Sequence, residues 1–405
     1  MMTDFSSQQR ILSGMRVSGK MHLGHYHGVI KNWLKLQHEY ECFIFAADWH
    51  GLTTQYDNPE NIEKNTWDMI IDWLAAGVNP NLSHLFIQSW VPEHAELHLL
   101  LSMSTPLSWL ERVPTYKDQM QKLKEKDLHT YGFLGYPVLM SADILLYRAG
   151  LVPIGEDQLP HLELTREIAR RFNYFYGRES NFVEKAEQAI KKMGKKNARL
   201  FRDLLKRYQE QGDHEAIAIG TALLESQASL RFSERELLLG YLDGSGKIIL
   251  PEPEALLTEI PKVPGLDGEK MSKSYNNTIT LREAPEDVEK KIKTMQTDPA
   301  RVRRTDPGEP DKCPVWALHN IYSTDDVKDW VRQGCRSASI GCLDCKSPLI
   351  DAIQKELAPI RERAQEFIDS PNLVKNIVAE GTEKAREVAR ETMVKVKKAM
   401  GLHYR

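Results

Sequence analysis

The chain has 405 residues, which at roughly 150 residues per domain is two to three domains' worth and excludes a single small module. It is 41% hydrophobic and 27% charged, the balance of a folded globular protein rather than a disordered one. With 54 Lys and Arg against 57 Asp and Glu, the net charge of −3 gives no global attraction to nucleic acid or membrane, so any polyanion must be met by a local patch.

No apolar run reaches the roughly 18 residues that span a bilayer, and the first residues, Met1 to Ser7, show no cationic segment followed by an apolar one. A cytoplasmic protein is expected. From Ile11 to about Tyr176, short β-branched or aromatic runs alternate with helix-period stretches, the pattern of crossover units on a parallel sheet. Ile11-Leu12 starts one strand, the fully apolar Cys42 to Ala47 suits a central strand, and Leu85-Phe86-Ile87 and Leu151 to Ile154 read as two more.

Near Tyr176-Gly177 the alternation stops. Residues 178–250 have helical spacing and read as an insertion, whose first part, Phe182 to Tyr208, carries nine Lys or Arg against Glu184, Glu187 and Asp203. Ser233 with Glu236 has the form of a capping box opening a short helix. Gly244 to Lys247 has the wrong glycine spacing for a phosphate loop and reads as a turn. Residues 284–405 are helical again, with Ala385, Val388, Ala389, Met393, Val396 and Met400 on one face.

Two segments carry chemistry. His22-Leu23-Gly24-His25 lies between a strand and a helix, where free backbone N–H groups and the helix dipole favour an anion. His22 and His25 are one turn apart and can donate to the same phosphate without a fixed charge; paired histidines at that spacing could also bind a metal. Lys270-Met271-Ser272-Lys273-Ser274 places two lysines and two hydroxyls on a polar loop, suited to the charge that spreads over a transferring phosphoryl or adenylyl group.

These two segments, in this order, resemble the HIGH and KMSKS signatures of class I aminoacyl-tRNA synthetases. Tyr136 to Tyr147, Gly155-Glu156-Asp157-Gln158 and His161 to Arg166 look like the bacterial tryptophanyl-tRNA synthetases, and the likeness covers most of the chain outside residues 178–250. The resemblance implies a Rossmann-type α/β catalytic domain in two parts (1–177 and 251–283), a helical insertion (178–250) and an all-α anticodon-binding domain (284–405). It implies activation of L-tryptophan with Mg-ATP to tryptophanyl-adenylate, transfer to the terminal adenosine of tRNA(Trp), and a homodimer. His22, His25, Lys270 and Lys273 would surround the phosphates. Arg16, Val17, Ser18, Gly24, Lys117, Gly155, Glu156, Asp157, Met271, Ser272 and Ser274 match nucleotide-binding positions, Arg16 standing where many relatives have Gln. His50, Tyr136, Met140, Asp143 and Gln158 match the amino-acid pocket, with Asp143 accepting the indole N–H. Arg301, Arg303 and Arg304 are candidates for the anticodon.

Cys313, Cys335, Cys342 and Cys345 have 21, six and two residues between them, the right number of thiolates for a tetrahedral Zn²⁺ or an iron–sulfur cluster. A similar array in a subset of the same family holds a [4Fe–4S] cluster, and the resemblance favours that over zinc. Two other readings remain open on the residues alone: a nucleotidyltransferase of the wider HIGH superfamily, and a paralogue that binds RNA or senses tryptophan without catalysis.

Overall fold

The computed structural model describes residues 10–17, 19–113, 128–177, 181–211, 213–244, 247–257 and 263–404. Five strands, β1 (Arg10–Arg16), β2 (Glu41–Ala47), β3 (Ser83–Ile87), β4 (Leu151–Ile154) and β5 (Glu254–Leu257), form one sheet in the order β3-β2-β1-β4-β5. The β1–β4 and β2–β3 pairs are parallel, with Ile11 opposite Leu151 and Cys42 to Ala46 opposite Ser83 to Ile87. The strand order reverses beside β1. Among the described residues no helix is long and apolar enough to cross a membrane.

The chain divides into two compact units: Ser13–Trp90 with Leu257–Glu383, and Val91–Leu256 with Met1–Leu12 and Lys384–Arg405.

In the first of these units, β2 and β3 are largely buried: Cys42 to Ala47 is an uninterrupted apolar run, and Leu85 to Ile87 continue the core from β3. Phe45 stacks on Phe86 at 5.5 Å, and a side chain at Gly14 of β1 would lie 2.5 Å from the Phe45 ring, so only glycine fits. Helix α1 (Lys31–Leu36) and helix α2 (Ile62–Ala76) bring Trp33 and Trp73 together edge to face at 5.3 Å.

In the second, helix α3 (Glu93–Ser102) packs on α4 (Tyr131–Leu146), and α5 (Leu159–Tyr176) leads to the insertion. The chain leaves at Gly177 and returns at Lys247, whose N–H donates to the Gly177 carbonyl at 2.9 Å. The Asn173 side chain accepts from the N–H groups of Ile249 and Leu250 and donates to the Leu250 carbonyl, closing the neck. The insertion itself is four helices, α6 (Phe182–Lys192), α7 (Gly194–Gln211), α8 (His214–Glu225) and α9 (Phe232–Asp243), around a private core that includes Ile190, Phe201, Leu204, Leu224 and Leu238. Helix α9 does not begin with the expected Ser233–Glu236 box. It is capped two residues earlier, where the Glu234 carboxylate accepts the Arg231 N–H at 3.0 Å and is held by Lys192 at 2.6 Å, while Glu236 pairs with Arg148.

The remaining helices are α10 (Pro285–Thr294), α11 (Pro314–Tyr322), α12 (Asp325–Arg336), α13 (Cys342–Asp369) and α14 (Pro371–Ala399). Helix α13 lies along α2, and Arg363 donates to the Ala75 carbonyl at 2.6 Å.

Candidate active site

β1 ends at Arg16, and the chain passes through Val17, fully buried, and Gly19, whose φ of +99° only glycine adopts cheaply. One α-turn (Leu23–His25) runs into a π-helical turn (Tyr26–Ile30) before α1, a local geometry that recurs at functional sites. The two imidazoles expected to share a ligand are stacked at 3.7 Å between ring centres, and the His22 N–H donates to His25 Nδ1 at 3.2 Å. His22 Nδ1 is buried with no hydrogen-bond partner among the described residues. A side chain at position 24 would sit 3.0 Å from that nitrogen, so Gly24 keeps it uncovered.

The KMSKS segment is stitched to this turn by the strand-like stretch that follows it. Leu23 donates to the Ile279 carbonyl and Leu281 to the Met21 carbonyl, both at 3.0 Å, and His22 bridges Thr280. Within the loop, Met271 is buried beside Gly24, Lys270 is exposed and Lys273 is half-buried. Burial lowers the Lys273 ammonium to about 8, against the opposing pull of Asp72. Burial, then the Lys273 charge, lowers His22 to about 4; burial, then His22, Lys273 and Lys270, lowers His25 to about 2. At neutral pH the site therefore presents two neutral imidazoles and cationic lysines, which can meet a polyphosphate by hydrogen bond and by charge.

Two buried polar residues that sequence reasoning passed over hold the segments in register. Asp72, 1% exposed on α2, accepts the Met21 N–H at 3.0 Å and Arg282 Nε at 2.6 Å, while Arg282 also reaches Asp68 at 2.8 Å. Its signal was legible, an acid inside Met69-Ile70-Ile71-Asp72-Trp73-Leu74, though its partners were not. Asn277, 2% exposed, shapes the KMSKS loop: its carbonyl accepts the Ser272 N–H at 2.7 Å, and its amide donates to Asp267 at 2.7 Å and to the Lys270 carbonyl at 3.2 Å. Asn277→Ala should lower the rate of ATP activation by roughly 10- to 100-fold with the tryptophan KM unchanged, on the scale of a lost supporting hydrogen bond that misplaces a reacting group. Pre-steady-state measurement of adenylate formation checks this, and an equal rise in the tryptophan KM would refute it.

Tyr136, Met140 and Asp143 occupy one face of α4 at helical spacing; Tyr136 and Met140 are half-buried and Asp143 is 2% exposed. Tyr136 packs near His161 at 5.6 Å between rings. Asp143 Oδ1 lies 2.6 Å from His94 Nδ1, a partner not foreseen, and His94 Nε2 lies 2.7 Å from the Tyr147 hydroxyl. Gln158 donates to Asp157 at 2.8 Å, after Gly155 at the end of β4, and Glu156 and Asp157 are exposed. His50 is half-buried on the short helix Asp48–Leu52 that follows β2. Arg16 is half-buried at the end of β1 and Ser272 at the start of the loop's 3₁₀ turn. Ser18, Lys117 and the side chain of Ser274 lie outside the described residues.

Of the three candidate anticodon arginines, Arg301 is corrected. It is 8% exposed, and its guanidinium is spent on Cys335 Sγ at 3.8 Å and on the carbonyls of Arg304 and Ile340. Arg303 and Arg304 are exposed. Cys335 is buried and Cys313, Cys342 and Cys345 are half-buried. Burial, then the charges of Cys313, Cys335 and Cys342, raises the Cys345 thiol to about 12, so the four sulfurs lie within electrostatic reach of one another. Among the described residues no three His, Cys, Asp or Glu side chains converge as ligands of a single ion.

A doubly wound parallel sheet with a HIGH-type turn after its first strand and a lysine loop stitched beside it defines a class I aminoacyl-tRNA synthetase. Residues 6–200 and 195–358 match the family model for class I tRNA synthetases of the W and Y type. The chain is 63% identical over 396 residues to the tryptophan–tRNA ligase of Ralstonia nicotianae, covering 98% of this chain and 99% of that one, and 44% identical over 397 residues to that of Thermotoga maritima, covering 98% and 100%. Its fold is similar to the tryptophanyl-tRNA synthetase of Campylobacter jejuni complexed with ADP and tryptophan, with a TM-score of 0.73, 28% identity and coverage of 97% and 100%. The chain belongs to the tryptophan–tRNA ligase family.

Proposed function

We propose that the cluster of His22, His25, Lys270 and Lys273 is the adenylation centre of a tryptophan–tRNA ligase. The chain activates L-tryptophan with ATP to tryptophanyl-adenylate and transfers the tryptophanyl group to the 3′-terminal adenosine of tRNA(Trp), releasing AMP and diphosphate. One observation carries the placement: backbone bonds from Leu23 to Ile279 and from Leu281 to Met21 hold the histidine turn and the lysine loop together.

The tryptophan carboxylate attacks the α-phosphorus of ATP and pyrophosphate leaves, so no protein nucleophile is needed. Catalysis is positioning plus electrostatics. The neutral imidazoles donate to phosphate oxygens, and Lys270 and Lys273 take up the charge that moves toward the leaving pyrophosphate. Mg²⁺ accompanies ATP as part of the substrate. Tyr136, Met140, Asp143, Gln158 and His50 are assigned to tryptophan, and Gly155, Glu156 and Asp157 to the nucleotide. Tryptophan-dependent exchange of pyrophosphate into ATP tests the assignment: activity with tryptophan and none with tyrosine or phenylalanine is expected, and its absence in folded protein would overturn it. It also separates this reading from a non-catalytic paralogue.

The four late cysteines are assigned to a [4Fe–4S] cluster. Four cysteines with 21, six and two residues between them, an array similar to that of the cluster-binding subset of the family, support this reading over a lone Zn²⁺. Gly308 supports the fit, since a side chain there would lie 2.7 Å from Cys335 Sγ. Bound, such a group would supply a cross-link between the Cys313 segment and the Cys335–Cys345 stretch. Anaerobically purified protein should contain iron and sulfide and absorb broadly in the visible, and Cys345→Ser should lose that absorbance and melt at lower temperature, because ligand binding is folding free energy here. Stoichiometric zinc without iron would overturn the assignment.

For tRNA, Arg303 and Arg304 remain candidates at the anticodon. On the insertion, Lys192, Arg202 and Arg207 are paired with Glu234, Glu187 and Asp213, whereas Lys191, Lys195, Lys196 and Arg199 are exposed around the α6–α7 turn. Neutralising those four should weaken tRNA(Trp) binding and flatten its dependence on salt without changing pyrophosphate exchange; unchanged salt dependence would leave the helix a solvated face. A homodimer acting in the cytoplasm completes the reading, supported by large apolar side chains left exposed at Leu99, Met103 and Leu107.

A further inference from the structure

Helices α3 and α4 pack face to face, and at their contact lies a chain of three polar side chains sealed from solvent: His94 is 0% exposed, Asp143 2% and Tyr147 0%. The bonds are short, 2.6 Å from His94 Nδ1 to Asp143 Oδ1 and 2.7 Å from His94 Nε2 to the Tyr147 oxygen. The polarity of the first follows from the groups. A carboxylate only accepts, so His94 Nδ1 carries a proton and donates to Asp143, while the other ring nitrogen is hydrogen-bonded to the Tyr147 hydroxyl. Burial, then Asp143 and Glu93, raises the Tyr147 phenol well above its ordinary value, which keeps it protonated.

The hydrogen bond from His94 fixes the plane of the Asp143 carboxylate and offsets part of its desolvation. The same logic orients ligands elsewhere: a buried polar group held by a second hydrogen bond has one rotamer rather than several.

We propose that His94, with Tyr147 behind it, is a positioning residue for amino-acid selection: it aims the Asp143 carboxylate at the indole N–H. The inference rests on the assignment of Asp143 to tryptophan made above. It makes His94 and Tyr147 part of how the enzyme recognises a ring N–H, though neither touches the substrate.

The test compares L-tryptophan with its benzothiophene isostere, in which sulfur replaces the indole N–H, by kcat/KM in ATP–pyrophosphate exchange. Sites built around a hydrogen bond discriminate strongly against ligands that lack it. His94→Leu should cut the preference for tryptophan over the isostere by about 10- to 100-fold, through the tryptophan KM, with the isostere's own kcat/KM and the ATP KM unchanged, the range expected for loss of one buried hydrogen bond to a charged group. His94→Asn, which keeps an amide donor near the Nδ1 position, should retain most of the preference. A purely structural role would lower both amino acids equally, and that result, or an unchanged ratio in His94→Leu, would overturn the proposal. Asp143→Ala separates the two layers: if it too keeps the wild-type ratio, the assignment of Asp143 fails and this inference with it, whereas loss of the ratio in Asp143→Ala alone overturns only the role of His94. Should His94→Leu not fold, Tyr147→Phe removes a single oxygen and should reduce the preference by about threefold or more; no reduction counts against the proposal.

Discussion

Lys273→Ala should slow tryptophanyl-adenylate formation by about 10²- to 10³-fold, the range found when one preorganised electrostatic donor is removed, while the Kd for tryptophan stays within about twofold. Lys273 is half-buried and faces Asp72, so it has little freedom to leave the site and its charge is poorly screened. Charge that grows only as pyrophosphate leaves makes the lysine matter to the rate more than to ground-state binding. Rapid-quench measurement of adenylate, beside equilibrium tryptophan binding, checks the split, and equal losses in both would sink the role.

The same residue sets a pH profile. With its ammonium lowered to about 8, Lys273 is charged at neutral pH and loses its proton as pH rises through about 8, so kcat/KM for ATP should fall on the alkaline side there. Bound polyphosphate stabilises the charged form, which should move the same limb in kcat to higher pH. The histidines contribute nothing near pH 6.5. Lowered to about 4 and about 2, they are already neutral, and protonation becomes relevant only in acid.

Asp72→Ala should have the second largest effect, on stability and rate together. The carboxylate is buried between the Met21 N–H and Arg282, and removing one member of a buried ion pair costs about 3–5 kcal/mol because the other charge is left uncompensated. Asp68 still holds Arg282 at 2.8 Å, so the lower end, about 3 kcal/mol, is expected in the denaturant midpoint. Asp72 itself is raised to about 6 by burial, which outweighs Arg282. Holding it ionised therefore costs the fold, and that cost is relieved as pH falls through about 6 toward its unfolded value of 3.8. Asp72→Asn is the sharper test. It keeps an acceptor for Met21 but removes the charge that raises Lys273, so the alkaline limb should shift to lower pH; a limb that stays in place would refute the coupling.

How much of this was legible depended on how far apart the cooperating atoms lie in the chain. His22 and His25 are three residues apart, as are Lys270 and Lys273, and the two segments read together pointed to a shared ligand. The strands were legible because Cys42 to Ala47 and Leu85 to Ile87 are apolar runs. Asn277 stood three residues beyond Ser274 and passed as loop, since nothing local says that its amide folds back on Asp267 and Lys270. The Ser233–Glu236 box failed for a related reason: Glu234 and Glu236 pair with Lys192 and Arg148, 42 and 88 residues away, and no local window contains those partners.

What the sequence by itself determined is the chemistry on offer: a parallel-sheet fold, a neutral imidazole pair at a strand end, a lysine loop, an acid among apolar residues on α4, and four thiols. Tertiary structure alone decided which charges survive burial and which groups meet. Arg301 reads as an exposed cation and is a buried brace; Asp143 reads as a solitary acceptor and is the end of a three-residue chain; Lys273 reads as an ordinary lysine and is held near 8. The physical reason is common to all three. Desolvation and long-range hydrogen bonds depend on what the folded chain packs around a group, and no local window of sequence contains that information.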